Sequence, residues 1–276
     1  MVALVLLATC NSKLDTGLLR ILWVKTDFLH PTTRGGQIRT LETLKRLHAR
    51  HEVHYVAYDN PAQPEGLQRA REYCSHAYPL KLDVPPRRSL KFAGQLATNL
   101  FSGLPLSITR YCSAAMRDQI AHLIRTLKFD SLVCDFLTPA PNFPDMGQVT
   151  LFQHNVETMI WRRHVDQSPD PLRKAYFRSQ AERMFRCERD MCRAAARVIA
   201  VSPQDAALMQ QMFGVDAVSV PTGVDLDFFR RPAAPLAQVR RATRRQSLLG
   251  SAPLHHALLF PGHAQPNRTA HQHHPI

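Results

Sequence analysis

Residues 197–229, RVIAVSPQDAALMQQMFGVDAVSVPTGVDLDFF, contain the pattern that decides the fold. The apolar run Val198–Val201 predicts a buried strand. Ser202 followed by proline is a favourable helix start, because serine caps the first turn and proline suits the first helical position. A second short strand is predicted over Ala217–Val220, and a sharp turn over Pro221–Asp225. A strand, a helix and a strand in this order indicate one unit of a parallel α/β sheet.

The rest of the chain continues this alternation. Ile21–Val24 predicts a strand buried on both faces, and Val53–Tyr58 predicts a second strand. Between them lies a predicted helix, about Gln37 to Arg50, whose apolar face would be Ile38, Leu41, Leu44 and Leu47. Right-handed crossover makes the two strands parallel neighbours. The remaining predicted elements are helices over Pro64–Cys74, Leu90–Phe101, Cys112–Leu127 and Leu172–Ala196, and strands over His76–Leu82, Ser131–Cys134 and Val149–Gln153. We therefore expect a doubly wound, parallel α/β sheet.

The chain is basic: 35 Lys and Arg against 22 Asp and Glu give a formal net charge of +13. Part of the excess is local, because residues 231–276 contain six arginines and no acidic residue. No arginine-rich segment is interleaved with aromatic residues, and no helix-turn-helix or zinc-finger spacing is recognisable. Nucleic acid is therefore not an expected partner.

The six cysteines are scattered without a CxxC pair, which argues against a zinc site or a disulfide framework. We expect them to be small buried apolar residues in a reducing compartment. No Ser-His-Asp order, no cluster of metal ligands and no GxxxxGK[ST] segment is recognisable in the sequence, so neither a metal nor a cofactor is expected. Asp130 and Asp135 flank a predicted strand, and the sequence suggests no partner for either.

Arg34–Gln37, RGGQ, lies between the first predicted strand and the first predicted helix. This is the carboxyl edge of the sheet, where ligands bind in open α/β folds. Gly35 and Gly36 allow the backbone to approach a ligand, and the helix that follows directs N–H groups at an anion. A tight turn would explain the same two glycines. The spacing is not GxGxxG, so a dinucleotide site is not favoured.

Phe152–Glu157, FQHNVE, follows a predicted strand and opens a helix at the same edge. His154 is either a structural histidine or a residue of the same cleft as the glycines. Glu157 is either a site residue or an acid in the first helical turn that complements the helix dipole.

The predicted helix over Leu172–Ala196 belongs to a segment, 172–198, with eight Lys and Arg against three acids. One interpretation is a solvated face with i,i+4 pairs such as Glu182–Arg186. The other is an electrostatic contact with anionic lipid.

Several motifs, in this order and spacing, resemble the N-terminal domain of family 4 glycosyltransferases of the GT-B fold, over about Arg20 to Arg230. They are PxxxGG at 31–36 with HEV at 51–53, HNVE at 154–157, VSxxD at 201–205, FGV at 213–215 and PTGVD at 221–225. The HNVE segment resembles sugar transferases associated with polysaccharide export and exosortase systems.

The resemblance implies a Rossmann-like domain of an enzyme that transfers a sugar from a nucleotide-sugar to a glycan or lipid-linked acceptor. Retaining chemistry of this type needs no metal; it depends on neutralising the diphosphate leaving group and on positioning the acceptor. By resemblance, His154 faces the transferred sugar as the catalytic residue. The donor would lie along Gly35, Gly36, Ser202, Thr222 and Gly223.

We expect three regions: an N-terminal extension (1–19), the Rossmann-like domain (20–230), and a linker with a disordered tail (231–276). In the family, a second domain carries a basic pair and two glutamates separated by seven residues, whereas no glutamate follows Glu188 here. The expectation is a truncated, inactive half-enzyme in the cytoplasm, with at most peripheral contact with the inner face of the membrane. The alternative is a free-standing acceptor-binding or assembly subunit of a split glycosyltransferase.

Overall fold

The computed structural model describes residues 17–82, 89–100 and 102–221. Within these ranges the strands are β1 (Arg20–Asp27), β2 (Glu52–Asp59), β3 (His76–Lys81), β4 (Ser131–Asp135), β5 (Val149–Gln153), β6 (Arg197–Ala200) and β7 (Val218–Ser219). The helices are α1 (Gly35–His48), α2 (Glu65–Gln68), α3 (Leu90–Leu100), α4 (Leu106–Thr109), α5 (Ala114–Thr126), α6 (Glu157–Gln167), α7 (Pro171–Ala194) and α8 (Pro203–Phe213). Short 3₁₀ turns span Ala70–Glu72, Ala140–Asn142 and Met146–Gln148.

The described strands form one sheet in the order β3-β2-β1-β4-β5-β6-β7. Every neighbouring pair is parallel. Strand order runs leftward from β1 to β3 and rightward from β4 to β7, so it reverses between β1 and β4. This is the Rossmann-like, doubly wound arrangement, and the predicted fold class is confirmed.

Alternate side chains of the strands enter two apolar layers, one on each face of the sheet. On one face, Trp23 and Tyr55 belong to the layer that contains Leu44 of α1. On the other face, Leu22 belongs to the layer that contains Ile120 of α5 and residues of α7 and α8. Because both faces are covered, the central strands are apolar along their length rather than alternating.

The predicted apolar face of α1 was partly wrong. Leu41, Leu44 and Leu47 are buried, but Ile38 is 49% exposed. Each three-residue step along a helix falls 60° short of a full turn, so Ile38 and Leu47 lie on opposite sides of α1. Thr40 completes the buried face instead.

Two local predictions at the other elements have clear outcomes. The single helix expected over Pro64–Cys74 is interrupted: α2 ends at Gln68 and a 3₁₀ turn follows, which brings Tyr73 into the core. Ser202 is the N-cap of α8 as predicted, since its Oγ accepts the Asp205 N–H at 3.0 Å. Gly214, with φ of 68°, ends α8 in the left-handed conformation that glycine adopts at low cost.

Among the cysteines that the structure describes, none forms a disulfide, and most have the buried position that the sequence predicts. Cys74, Cys134, Cys187 and Cys192 are buried and Cys112 is partly buried. On α7, the expected i,i+4 pair is present, with Arg186 Nε 3.7 Å from Glu182 Oε1. Among the helices of the described ranges, none has the length and apolar character needed to cross a membrane.

Candidate functional site

The candidate site lies where the strand order reverses, at the carboxyl ends of β1, β4 and β5. Each of these neighbouring strands ends in a residue that carries chemistry: Lys25 near the end of β1, Asp135 at the end of β4, and His154 directly after β5. Parallel strands place their carboxyl ends at one edge, so the sheet itself brings the three together.

Asp135 is the centre of this group and is completely buried. Its Oδ1 lies 2.7 Å from His154 Nε2. Its Oδ2 accepts hydrogen bonds from Trp23 Nε1 at 3.0 Å and from the Thr40 hydroxyl at 2.6 Å. Lys25 Nζ lies 3.1 Å from the same oxygen. The carboxylate thus has four partners from three surrounding segments: two from β1, one from α1 and one from the residue after β5.

These partners keep Asp135 ionised. Burial by itself would raise the pKa of this carboxyl, but the Lys25 ammonium and the hydrogen bonds from His154 and Thr40 outweigh burial and lower the pKa well below its usual range. The Lys25 ammonium is 2% exposed and also lies 4.1 Å from the centre of the Phe136 ring. Its pairing with Asp135 is one of charge, because Nζ makes no aligned hydrogen bond.

The position of His154 assigns its tautomer. An ionised Asp135 can only accept, so Nε2 carries the proton, and Nδ1 accepts from Arg39 Nη1 at 3.3 Å. Burial lowers the pKa of His154, and the positive charges of Lys25 and Arg39 lower it further. Asp135 acts in the opposite direction but does not outweigh them. His154 is therefore a neutral imidazole with both nitrogens engaged inside the protein.

Phe136 holds the imidazole from one side. Its ring stacks on His154 with the centroids 4.0 Å apart and the planes 6° from parallel. Phe136 has φ of 73°, a backbone conformation that a residue with a large side chain adopts only where its surroundings impose it. Gly36 lies close to both rings: a Cβ at position 36 would be 2.8 Å from Phe136 Cζ and 3.7 Å from His154 Nδ1. Glycine at position 36 is thus required by the close approach of α1 to the stacked pair.

The N-terminus of α1 stands beside this group and is open. Its N-cap, Arg34, makes no side-chain capping bond, and a Cβ at Gly35 would meet nothing within 4 Å. The N–H groups of a first helical turn have no partner within the helix. One turn on, the half-buried Arg39 guanidinium has its Nη1 on His154 and a buried Nε without a hydrogen-bond partner in the part of the chain that the structure describes. Unpaired N–H groups and a cation at one point favour an anion.

The N-terminus of α6, by contrast, is filled by the protein. Glu188 of α7 is completely buried, and its carboxylate accepts the backbone N–H groups of Glu157 and Thr158, both at 2.8 Å. It also accepts the Thr158 hydroxyl at 2.6 Å and Gln153 Nε2 at 3.2 Å. Burial, followed by the nearby charge of Glu188, raises the pKa of Glu157 to about 7.

A family model described as Glycosyltransferase Family 4 matches residues 33–228, which is most of the chain. The chain belongs to glycosyltransferase family 4. The matched stretch corresponds to the family's N-terminal domain, as the sequence motifs predicted.

Eighteen chains of solved structures match significantly. One is the N-terminal domain of trehalose-6-phosphate phosphatase from Candida albicans, with 14% sequence identity and a TM-score of 0.42. The match covers 86% of this chain and 56% of that chain, so this chain spans little more than half of that structure. A similarity at this level carries no argument about function. No curated protein matches the chain significantly.

The structure brings together some of the predicted site residues of this family 4 domain. Gly36 and His154 are adjacent, since a Cβ at Gly36 would lie 3.7 Å from His154 Nδ1. Ser202 lies after β6, one strand further along the edge, and its hydroxyl is used to cap α8 and to contact Asp205 Oδ2 at 2.6 Å. Thr222 and Gly223 lie outside the described residues.

The sequence analysis missed Asp135, Lys25 and Arg39, and its conclusion that no partner exists for Asp135 was wrong. The available signal was a charged residue directly after an apolar run that predicts a central strand. Asp135 follows Leu132–Cys134 in this way, and Lys25 follows Trp23-Val24. Within the described residues, a group with the spacing of metal ligands occurs at the opposite edge of the sheet, at Glu52, His54 and His76.

Proposed function

We propose that this domain is the acceptor-side half of a transferase that moves a sugar from a nucleotide-sugar to a glycan or lipid-linked acceptor. The supporting observation is the group at the strand reversal: an ionised, buried Asp135 that fixes His154, next to the open N-terminus of α1. Membership of glycosyltransferase family 4 supports the reaction class.

In this proposal the diphosphate of the donor lies at the first turn of α1. Gly35 leaves the approach free of a side chain, and the unpaired N–H groups of the first turn donate to a phosphate oxygen. Arg39 supplies a positive charge, because its guanidinium already points to this place. Hydrogen bonds between charged partners are about twice as strong as neutral ones, so Arg39 is the largest single contribution of this domain to the phosphate.

His154 then acts through Arg39. In the described arrangement both imidazole nitrogens are occupied and the residue is 5% exposed. A phosphate at α1 competes with Nδ1 for the guanidinium. When Arg39 turns to the phosphate, Nδ1 becomes an acceptor for a sugar hydroxyl, while Asp135 keeps the proton on Nε2. Donor binding and orientation of the sugar are thereby coupled.

The proposal assigns the nucleotide itself to a second domain, whether joined to this one or separate. A few backbone hydrogen bonds, each worth about 0.5–1.5 kcal/mol net and up to about 3 kcal/mol when charged, do not offset the association entropy of a nucleotide-sugar. We expect the isolated chain to bind nucleotide-sugars no better than about millimolar and to transfer no sugar.

The test is an NMR titration of the ¹⁵N-labelled chain with UDP-sugars, GDP-sugars and inorganic pyrophosphate. We expect weak binding with amide shifts centred on Gly35 and Gly36. Arg39→Ala should weaken pyrophosphate binding about tenfold, the value of one charged hydrogen bond. Arg46→Ala is the matched control, because Arg46 is an exposed arginine of the same helix that pairs with Glu42.

Three results would contradict the proposal. If the amide shifts do not include the first residues of α1, the phosphate does not bind at the proposed place. An equal loss in Arg46→Ala would reduce it to general charge attraction. Micromolar binding or turnover by this chain alone would show that the domain holds the nucleotide by itself.

A further inference from the structure

The amino edge of the sheet, opposite the candidate site, carries a second group of polar side chains. Glu52 begins β2, and His54 follows two residues later, so both side chains lie on one face of the strand. His76 begins β3 and is the direct cross-strand partner of His54. The parallel register therefore places a carboxylate and two imidazoles side by side.

The distances within this group suit a metal ion. Glu52 Oε1 lies 3.0 Å from His54 Nε2 and 3.3 Å from His76 Nε2, and all three atoms lie within 4.8 Å of one another. In a tetrahedral zinc site, bonds of about 2.0–2.2 Å separate neighbouring ligand atoms by about 3.4 Å. The side chain of His76 is 52% exposed, so it is free to make the small rotation that closes the site.

The side chains of His54 and Glu52 are each already oriented by a hydrogen bond to a neighbouring residue. Tyr78 places its hydroxyl 2.8 Å from His54 Nδ1, which leaves Nε2 for a metal. Arg20 Nε donates to the other oxygen of Glu52 at 2.8 Å, which leaves Oε1 for a metal. Such outer partners orient ligands in metal sites.

We propose that Glu52, His54 and His76 form a site for a divalent transition-metal ion such as Zn²⁺, with a fourth position open to solvent. Two imidazoles and one carboxylate are the nitrogen and oxygen ligands that Zn²⁺ accepts, whereas Mg²⁺ and Ca²⁺ prefer oxygen ligands throughout. The site joins the first residues of β2 and β3, far along the strands from the strand ends that hold His154. It is therefore independent of the proposed sugar transfer.

The test is the thermal unfolding of the full chain in the presence of ZnCl₂. An ion that binds only the folded state raises Tm, by roughly 5–10 °C at a concentration about 100 times Kd. The six histidines of residues 255–274 are the same in the wild type and in a variant at position 76, so the difference between these two proteins reports on the proposed site. MgCl₂ should produce no comparable rise.

His76→Ala should abolish the rise, and its exposed position makes misfolding of the variant an unimportant concern. Glu52→Gln, which keeps the shape but removes the charge, should lose most of it. The matched control is His122→Ala, at an exposed histidine of α5, which should keep the full rise. No rise in the wild-type chain, or the same rise in His76→Ala, would overturn the proposal and leave Glu52 as a plain hydrogen-bond acceptor for the two imidazoles.

Discussion

Two completely buried carboxyl groups lie near the same edge of this sheet, and their surroundings give them opposite properties. Asp135 faces the Lys25 ammonium and the His154 imidazole, and its pKa is lowered. Among the described residues, the hydrogen-bond donors to Glu188 are all neutral and come from the first turn of α6 and from Gln153. Burial raises the pKa of Glu188 despite these four hydrogen bonds.

The difference shows what determines whether a buried carboxyl group at this edge is ionised. A cation stabilises a buried negative charge more than neutral hydrogen bonds do, so Asp135 remains ionised under all ordinary conditions. Its fixed charge in turn fixes the tautomer of His154. Glu188 serves to begin a helix, and the carboxyl group of Glu157 beside it titrates near neutral pH.

The largest effect is expected from Asp135→Asn. The substitution leaves the buried Lys25 ammonium without its counter-charge, and breaking a buried ion pair in this way costs about 3–5 kcal/mol. Urea unfolding monitored by circular dichroism measures the loss. Asp130→Asn, at the exposed residue just before the same strand, should cost less than about 1.5 kcal/mol.

A double variant sharpens this result. Asp135→Asn combined with Lys25→Met removes both charges, so its cost should be clearly smaller than the sum of the two single costs. Additive costs would mean that Lys25 does not stabilise Asp135, and the contrast with Glu188 would then fail.

The second effect is a dependence of stability on pH, caused by Glu157, whose carboxyl group lies near Glu188. The pKa of Glu157 is about 7 in the folded protein and about 4.3 in an unfolded chain, so the folded state holds the proton more tightly. Its contribution to stability is therefore complete below about pH 4 and is lost as pH rises through 7. Because the residue is only half-buried, we expect a loss of roughly 1–3 kcal/mol between pH 5 and pH 8.

Glu157→Gln removes this titration, so its stability relative to the wild type should increase over the same pH interval. The measurement is the free energy of unfolding in urea at several pH values. Glu182→Gln, on the exposed face of α7, should leave the pH dependence unchanged. A difference between Glu157→Gln and the wild type that does not vary with pH would contradict the assignment.

The smallest effect concerns the packing of Gly36 against the stacked rings of Phe136 and His154, next to Asp135. Gly36→Ala would place a methyl group 2.8 Å from the Phe136 ring, and we expect a loss of about 1–2 kcal/mol together with weaker pyrophosphate binding. Gly35→Ala is the matched control: it meets nothing within 4 Å, and alanine stabilises a helix by about 0.5–1 kcal/mol over glycine. Equal effects of the two substitutions on unfolding would show that the stacked pair at His154 tolerates displacement.

Much of the fold was predictable because it depends on local pattern. A few neighbouring residues are enough to predict the strands at Ile21–Val24 and Val53–Tyr58 and the helix cap at Ser202. The edge that holds Gly36 and His154 was predictable as well, because parallel strands all end on one side. The roles of these residues in sugar transfer stay predictions.

What the sequence by itself determined is therefore the alternation of strands and helices, the family, and the edge at which its motifs meet. Only the tertiary structure decided what the charged groups do. Lys25, Asp135 and His154 are separated by more than a hundred residues in total, and their pairing depends on the register of three strands. The group at Glu52, His54 and His76 likewise exists only because β2 and β3 align two histidines across the sheet. Electrostatic energies depend on the distance between charges and on their burial, and both quantities are known only once the strands are paired in the fold.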